Sequence, residues 1–207
     1  MLIRTPDPET ADGVIADFYR SDLDDDGFVF SHTRAMAVNP EALAAFETLV
    51  HAIVPSIGVR TYELVTLAAA GALRSPHCLL AHGRKALRAG ALDEDQLEGV
   101  AHEGDHPDLS DADRAVMRFA RRVSTEPTSM TDADTQELRD VGFDDRQIVD
   151  ITLAAAARNY FSRSLQALAV PVETDLMGLS PRLRDALLSP TRGSADHSSA
   201  AASALDS

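Results

Sequence analysis

The stretch Tyr62-Glu63-Leu64-Val65-Thr66-Leu67-Ala68-Ala69-Ala70-Gly71-Ala72-Leu73-Arg74-Ser75-Pro76-His77-Cys78-Leu79-Leu80-Ala81-His82 reads as two helices meeting at a stop. Its first half is a run of apolar and small residues. Ser75 is then a good N-cap, and Pro76 suits the first position of a new helix. Cys78 therefore falls in the first helical turn, where free amides and the positive end of the helix dipole favour a thiolate. His82 follows four residues later, on the same helical face. Antiparallel packing of the two helices brings Glu63 toward His82 and the thiol. A carboxylate, an imidazole and a thiol together form a proton relay able to activate sulfur. The plainer account is that a lone Cys on an Ala/Leu helix packs as a small buried hydrophobe.

Helical signals continue in both directions. Asp7-Pro8 opens a short helix over residues 8–19, followed by an acidic loop at 22–26. Asn39-Pro40 starts a helix that Pro55 stops, and another helix covers 59–73. Downstream, Asp93 with Gln96 resembles a capping box, and Ser110 with Asp113 and Thr131 with Asp134 start two further helices. Asp144 or Asp145 opens a long helix to Leu168, and Ser180-Pro181 a short final one. No strand pattern stands out, so the fold class is all-α: a helical bundle forming one domain over residues 1–188. The Ser, Ala, Gly and Asp-rich residues of 189–207 are expected to be a disordered tail, having too little apolar surface to offset ordering entropy. A faint internal repeat pairs 63–74 with 147–158, a possible helical-hairpin repeat. Such Ala-rich segments also resemble one another by chance.

The composition narrows the function. A formal net charge of -14 argues against a nucleic-acid partner, which needs clustered Lys and Arg. No apolar run approaches the roughly 20 residues of a membrane span, and the N-terminus lacks signal-peptide regions. The expected location is cytoplasmic. The single cysteine excludes an internal disulfide framework. No phosphate loop or dinucleotide fingerprint occurs, so no cofactor is expected. His102 and His106 lack an evident third ligand for a metal. His32 and His51 have no identifiable partner, and Asn159, Tyr160 and Phe161 read as core or interface.

The segment from Glu63 resembles the core motif of the alkylhydroperoxidase D family: Glu, eleven residues, then Cys-x-x-Cys-x-x-x-His. Glu63, Cys78 and His82 match the glutamate, second cysteine and final histidine, and His77 matches a histidine often found beside that cysteine. Ser75 stands at the position of the first cysteine. The likeness is strongest over residues 63–101 and extends more loosely over 5–172, similar to the peroxidase-related branch of the superfamily to which carboxymuconolactone decarboxylases also belong.

The resemblance implies an all-α bundle assembling as a homo-oligomer, a trimer or hexamer. It implies a thiol-dependent hydroperoxidase with Cys78 as nucleophile, His82 and Glu63 activating it, His77 tuning the site and Ser75 capping the helix. Without a second thiol, turnover requires an external thiol or reductant protein besides the hydroperoxide substrate. Two alternatives stay open. One is a decarboxylase-like acid/base enzyme using His82 and Glu63 on an anionic lactone, with Arg74 the nearest cation. The other is a non-catalytic scaffold or redox sensor.

Overall fold

The computed structural model describes residues 1–102 and 106–191. Nine α-helices and no strand occur among them: α1 (Gly13–Asp26), α2 (Ser31–Met36), α3 (Pro40–Ala72), α4 (Pro76–Arg88), α5 (Glu94–Ala101), α6 (Asp111–Thr125), α7 (Asp132–Asp140), α8 (Asp145–Ala167) and α9 (Pro181–Leu188). The chain is all-α, as its Ala/Leu content and capping signals indicate. Asp93, Ser110 and Asp144 each accept from the backbone N–H three residues on, so α5, α6 and α8 start where the sequence places them. Three local expectations are corrected. The first helix begins at Gly13, and the acidic stretch 22–26 is its final turns rather than a loop. The short helix α2 lies in a stretch without a sequence signal. Pro55 does not end a helix.

The central helix α3 packs against α8, α6 and α4. By length and composition it is apolar enough to cross a membrane, longer than the apolar runs visible in the sequence. Its backbone, however, turns a corner at Gly58, with φ 80° and ψ 157°. This conformation is essentially confined to glycine. The corner divides α3 into residues 40–57, which are largely uncovered in the monomer, and residues 59–72, which run through the bundle. Every residue from 62 to 70 is buried. Arg60, two residues past the corner, grips α6 through paired hydrogen bonds to Asp113 of 3.1 and 3.0 Å, and donates to the Ala91 carbonyl before α5.

The turn between α3 and α4 is a C-cap. Arg74 adopts φ 52°, and the Ser75 N–H returns to the Ala70 carbonyl at 2.9 Å. The second copy of the repeat differs: α8 runs unbroken, because Asn159-Tyr160 stands where the first copy has Ser75-Pro76. The repeat is thus a hairpin in one copy and a single helix in the other. Residues 189–191 form a 3₁₀ turn on the end of α9; residues 192–207, the rest of the expected tail, lie outside the described residues, as do residues 103–105, which the sequence reads as a loop.

Because the corner sets the direction from which Glu63 enters the core, Gly58→Ala is expected to destabilise the fold by roughly 1–3 kcal/mol. Urea unfolding of the variant against wild type measures this. An unchanged midpoint would show that the corner is not strained for other residues.

Candidate active site

A cavity of about 320 Å³ lies between α1, α2, α3, α4 and α8. Its wall gathers four of the expected residues, Glu63, His77, Cys78 and His82, and several unexpected ones. Glu63 comes from the buried half of α3 and His82 from the second turn of α4. The helical hairpin brings them together, and His82 Nδ1 lies 2.8 Å from Glu63 Oε2, both side chains buried. Burial pushes the Glu63 carboxyl up to about 7, partly offset by Lys85, Arg158 and Arg88. Burial, with the cations Arg158 and Lys85, holds His82 well below the ordinary histidine range. The pair therefore shares one proton near neutrality, held in the low-dielectric wall of the cavity.

Cys78 is 1% exposed and lines the same cavity. Its neighbours differ from those suggested by spacing. Among the described residues the sulfur's hydrogen-bond partners are Ser162, whose hydroxyl donates at 3.2 Å, and Arg158, whose Nη1 donates at 3.5 Å. Both come from α8, 80 and 84 residues further along the chain. His82 spends its Nδ1 on Glu63 and makes no direct bond to the thiol. Arg158 is 3% exposed, its guanidinium lies 5.4 Å over the Phe161 ring, and its Nε is buried without a partner. Burial alone disfavours its charge, yet Cys78, Tyr62 and Glu63 together raise its pKa above the ordinary arginine value. A guanidinium that cannot lose its proton, pressed against a sulfur, is a fixed countercharge for a thiolate.

His77 points into the wall between α2 and the strap after α8. Its Nε2 is 2.7 Å from His32 Nδ1, and its Nδ1 donates to the Pro171 carbonyl at 3.1 Å. Glu173 Oε2 lies 3.6 Å from the same nitrogen. Ser75 is buried at the N-cap of α4, but its hydroxyl forms no cap bond. Arg74, expected as the nearest cation, is exposed and outside the cavity lining; Lys85 and Arg158 are the cations in the wall.

Arg158 and Ser162 escaped the motif reading because they lie far along the chain, and His32 because α2 carries no pattern. The repeat held a usable signal. Its register of 84 residues pairs Arg74 with Arg158, and continued four residues it pairs Cys78 with Ser162, the two residues that touch. Outside the cavity, His102 stands beside Glu98, and His106 Nδ1 accepts from the Asp108 N–H.

Residues 40–122 match the carboxymuconolactone decarboxylase family. Among solved structures, an uncharacterized peroxidase-related protein from Ralstonia eutropha JMP134, an alkylhydroperoxidase AhpD core, is 22% identical with a TM-score of 0.75, over 84% of this chain and 93% of that one. A peroxidase-related protein from Silicibacter sp. TM1040 is 22% identical with a TM-score of 0.70, over 84% and 94%. The debrominase Bmp8, as a cysteine-to-alanine variant in complex with 2,3,4-tribromopyrrole, is 18% identical with a TM-score of 0.73, over 86% and 94%. No protein of curated function matches the chain. The structural likenesses establish a shared all-α fold.

The raised Glu63 carboxyl makes folding depend on pH with a definite sign. A carboxyl lifted from 4.5 to about 7 binds its proton more tightly in the folded state, so its contribution is fully present below 4.5 and is lost as pH rises through 7. Glu63→Gln removes that loss. The stability of the variant relative to wild type is expected to grow by on the order of 1–3 kcal/mol between pH 4.5 and 7.5. Asp22, lifted to about 6 by burial, is common to both proteins and cancels. Urea titrations across this range check the trend, and a flat difference would refute it.

Proposed function

We infer that this chain, whose residues 40–122 belong to the carboxymuconolactone decarboxylase family within an alkylhydroperoxidase D-like fold, is a thiol-dependent hydroperoxidase working through Cys78. The observation that carries the reading is the buried Arg158 guanidinium and Ser162 hydroxyl converging on the Cys78 sulfur, beside the Glu63–His82 pair, in the wall of one cavity. The thiol proton passes to the Glu63–His82 pair, directly or through water. The thiolate, paired with Arg158, attacks the terminal oxygen of the hydroperoxide. The O–O bond breaks, sulfur gains the hydroxyl as a sulfenic acid, and the leaving alkoxide recovers the proton from the Glu63–His82 pair. Two electrons have moved from sulfur to the peroxide.

The chain holds one cysteine, and Ser75 stands where the resembling motif carries the other. Regeneration therefore falls to an external thiol. Its thiolate attacks the sulfenic sulfur and water leaves; a second external thiol then displaces Cys78 and carries away the disulfide. A second reading, acid/base decarboxylation of an anionic lactone, is favoured by Lys85 and Arg158 in the cavity wall. It is distinguished by needing no thiol.

The apolar residues Val149, Leu153 and Tyr160 are exposed along one face of α8. This stripe supports assembly with further copies of the chain. Light scattering on Val149→Glu/Leu153→Glu is expected to show a smaller particle than wild type; an equal mass would remove α8 as the contact.

Intact-protein mass spectrometry with a sulfenic-acid trap tests the chemistry. Titration of the reduced protein with cumene hydroperoxide is expected to label one site, and Cys78→Ser to abolish the labelling. Arg158→Met is expected to slow the reaction by roughly 10²-fold through loss of a preorganised charge, and Glu63→Gln to slow it as well. Wild-type labelling no faster than that of free cysteine would sink the peroxidase reading. A Cys78→Ser protein that still processed a lactone acid would favour the decarboxylase.

A further inference from the structure

The mechanism above leaves two histidines of the cavity region unused, the buried His77 and the half-buried His32. His32 stands on α2, outside residues 40–122, and lines the cavity. Its ring stacks on Phe30 with centroids 4.6 Å apart and meets the edge of Phe161 at 5.4 Å. These contacts leave it little freedom to turn.

The protons on the two rings follow from their partners. A carbonyl oxygen only accepts, so His77 Nδ1, 3.1 Å from the Pro171 carbonyl, carries a proton. A neutral His77 then presents Nε2 as an acceptor. His32 Nδ1, 2.7 Å away, must donate to it. A neutral His32 has no second proton, so its Nε2 is left as a lone pair. That nitrogen has no hydrogen-bond partner among the described residues.

Both rings are neutral near pH 7. Burial drives His32 well below the ordinary histidine range, helped by His77, Lys85, Arg158 and His82 around it. Burial also lowers His77, against the pull of Glu173 and the Pro171 carbonyl and with the push of Arg158 and Lys85. Protonating either ring would add charge to a wall that already holds two cations.

We propose that His32 Nε2 accepts the O–H of the hydroperoxide and so orients its terminal oxygen for attack by Cys78. The inference rests on Cys78 being the peroxide-reducing thiol and adds what the site recognises. The cavity wall then supplies donors to sulfur, from Arg158 and Ser162, and an acceptor to the substrate, from His32. The hydroxyl proton stays with its oxygen and ends on the sulfenic acid, so His32 is neither protonated nor consumed. Substrates with a peroxide O–H are selected over dialkyl peroxides, which have no proton to give. His77 is a positioning residue: it holds the His32 tautomer and touches no substrate.

The experiment compares two reagents on the full chain. Cumene hydroperoxide carries the O–H; methyl methanethiosulfonate reacts with the same sulfur and has no hydrogen-bond donor. His32→Phe, which keeps the ring stack, is expected to slow oxidation by cumene hydroperoxide about tenfold, the worth of one hydrogen bond. Its reaction with methyl methanethiosulfonate is expected to stay within about twofold of wild type. His32→Gln, whose amide oxygen can accept, is expected to recover part of the loss. Equal slowing of both reagents, or an unchanged cumene hydroperoxide rate, overturns the proposal while leaving the peroxidase reading intact. A wild-type Cys78 that ignores cumene hydroperoxide but reacts with methyl methanethiosulfonate overturns the peroxidase reading and this proposal with it. If circular dichroism shows that His32→Phe has lost its helices, His32→Met, of similar volume and without a strong acceptor, is read by the same criteria.

Discussion

The buried guanidinium of Arg158 is the interaction on which the site depends. An ionised group removed from water costs several kcal/mol unless an opposite charge and hydrogen bonds compensate. Arg158 is 3% exposed, and among the described residues its hydrogen-bond partner is the Cys78 sulfur. The raised affinity of Arg158 for its proton traces to Cys78, Tyr62 and Glu63. The same charge helps depress His82 and His32 and limits the rise of Glu63. One cation thus biases the protonation of Glu63 and of the three histidines His32, His77 and His82. It can do so only because α8 lies against the buried half of α3, which brings a residue of the second repeat copy to the sulfur of the first.

Two backbone devices aim the parts. Gly58 turns α3 so that its second half enters the core, where the Glu63 carboxyl is buried and pairs with His82. The Arg74 C-cap and Pro76 then reverse the chain, setting Glu63 and His82 opposite one another across a tight hairpin. Ser75 contributes to this stop through its backbone rather than its hydroxyl. Ion pairs of Asp26 with Arg84 and Arg88 tie α1 to α4 and bring the N-terminal helices over the cavity.

The family match ends before α8 and begins after α2. The hairpin inside it carries Glu63, Cys78 and His82. The countercharge, the hydroxyl donor and the two-histidine wall draw on elements outside it. One fold hosts proteins with names as different as peroxidase-related protein and debrominase, so the fold by itself does not set the chemistry.

The local part of this protein was legible in its sequence. Capping residues, proline positions and the Ala/Leu content determine the helices, because those signals act through hydrogen bonds and sterics within four residues. The Glu63, Cys78 and His82 spacing was legible for a related reason: a short hairpin makes residues 19 apart neighbours with few alternatives. What touches the sulfur was decided by tertiary structure alone. Arg158 and Ser162 reach Cys78 through the packing of α8 on α3, and His32 reaches His77 through a short helix that has no periodic pattern. Their protonation states follow from burial, which no local stretch encodes. The Asp22–Asp26 stretch shows the same limit, since it reads as a solvated loop until Arg84 and Arg88 hold Asp26 in a helix. Sequence set the segments and the candidate chemistry; packing chose which charges became neighbours, because the cost of burying a charge depends on every element that surrounds it.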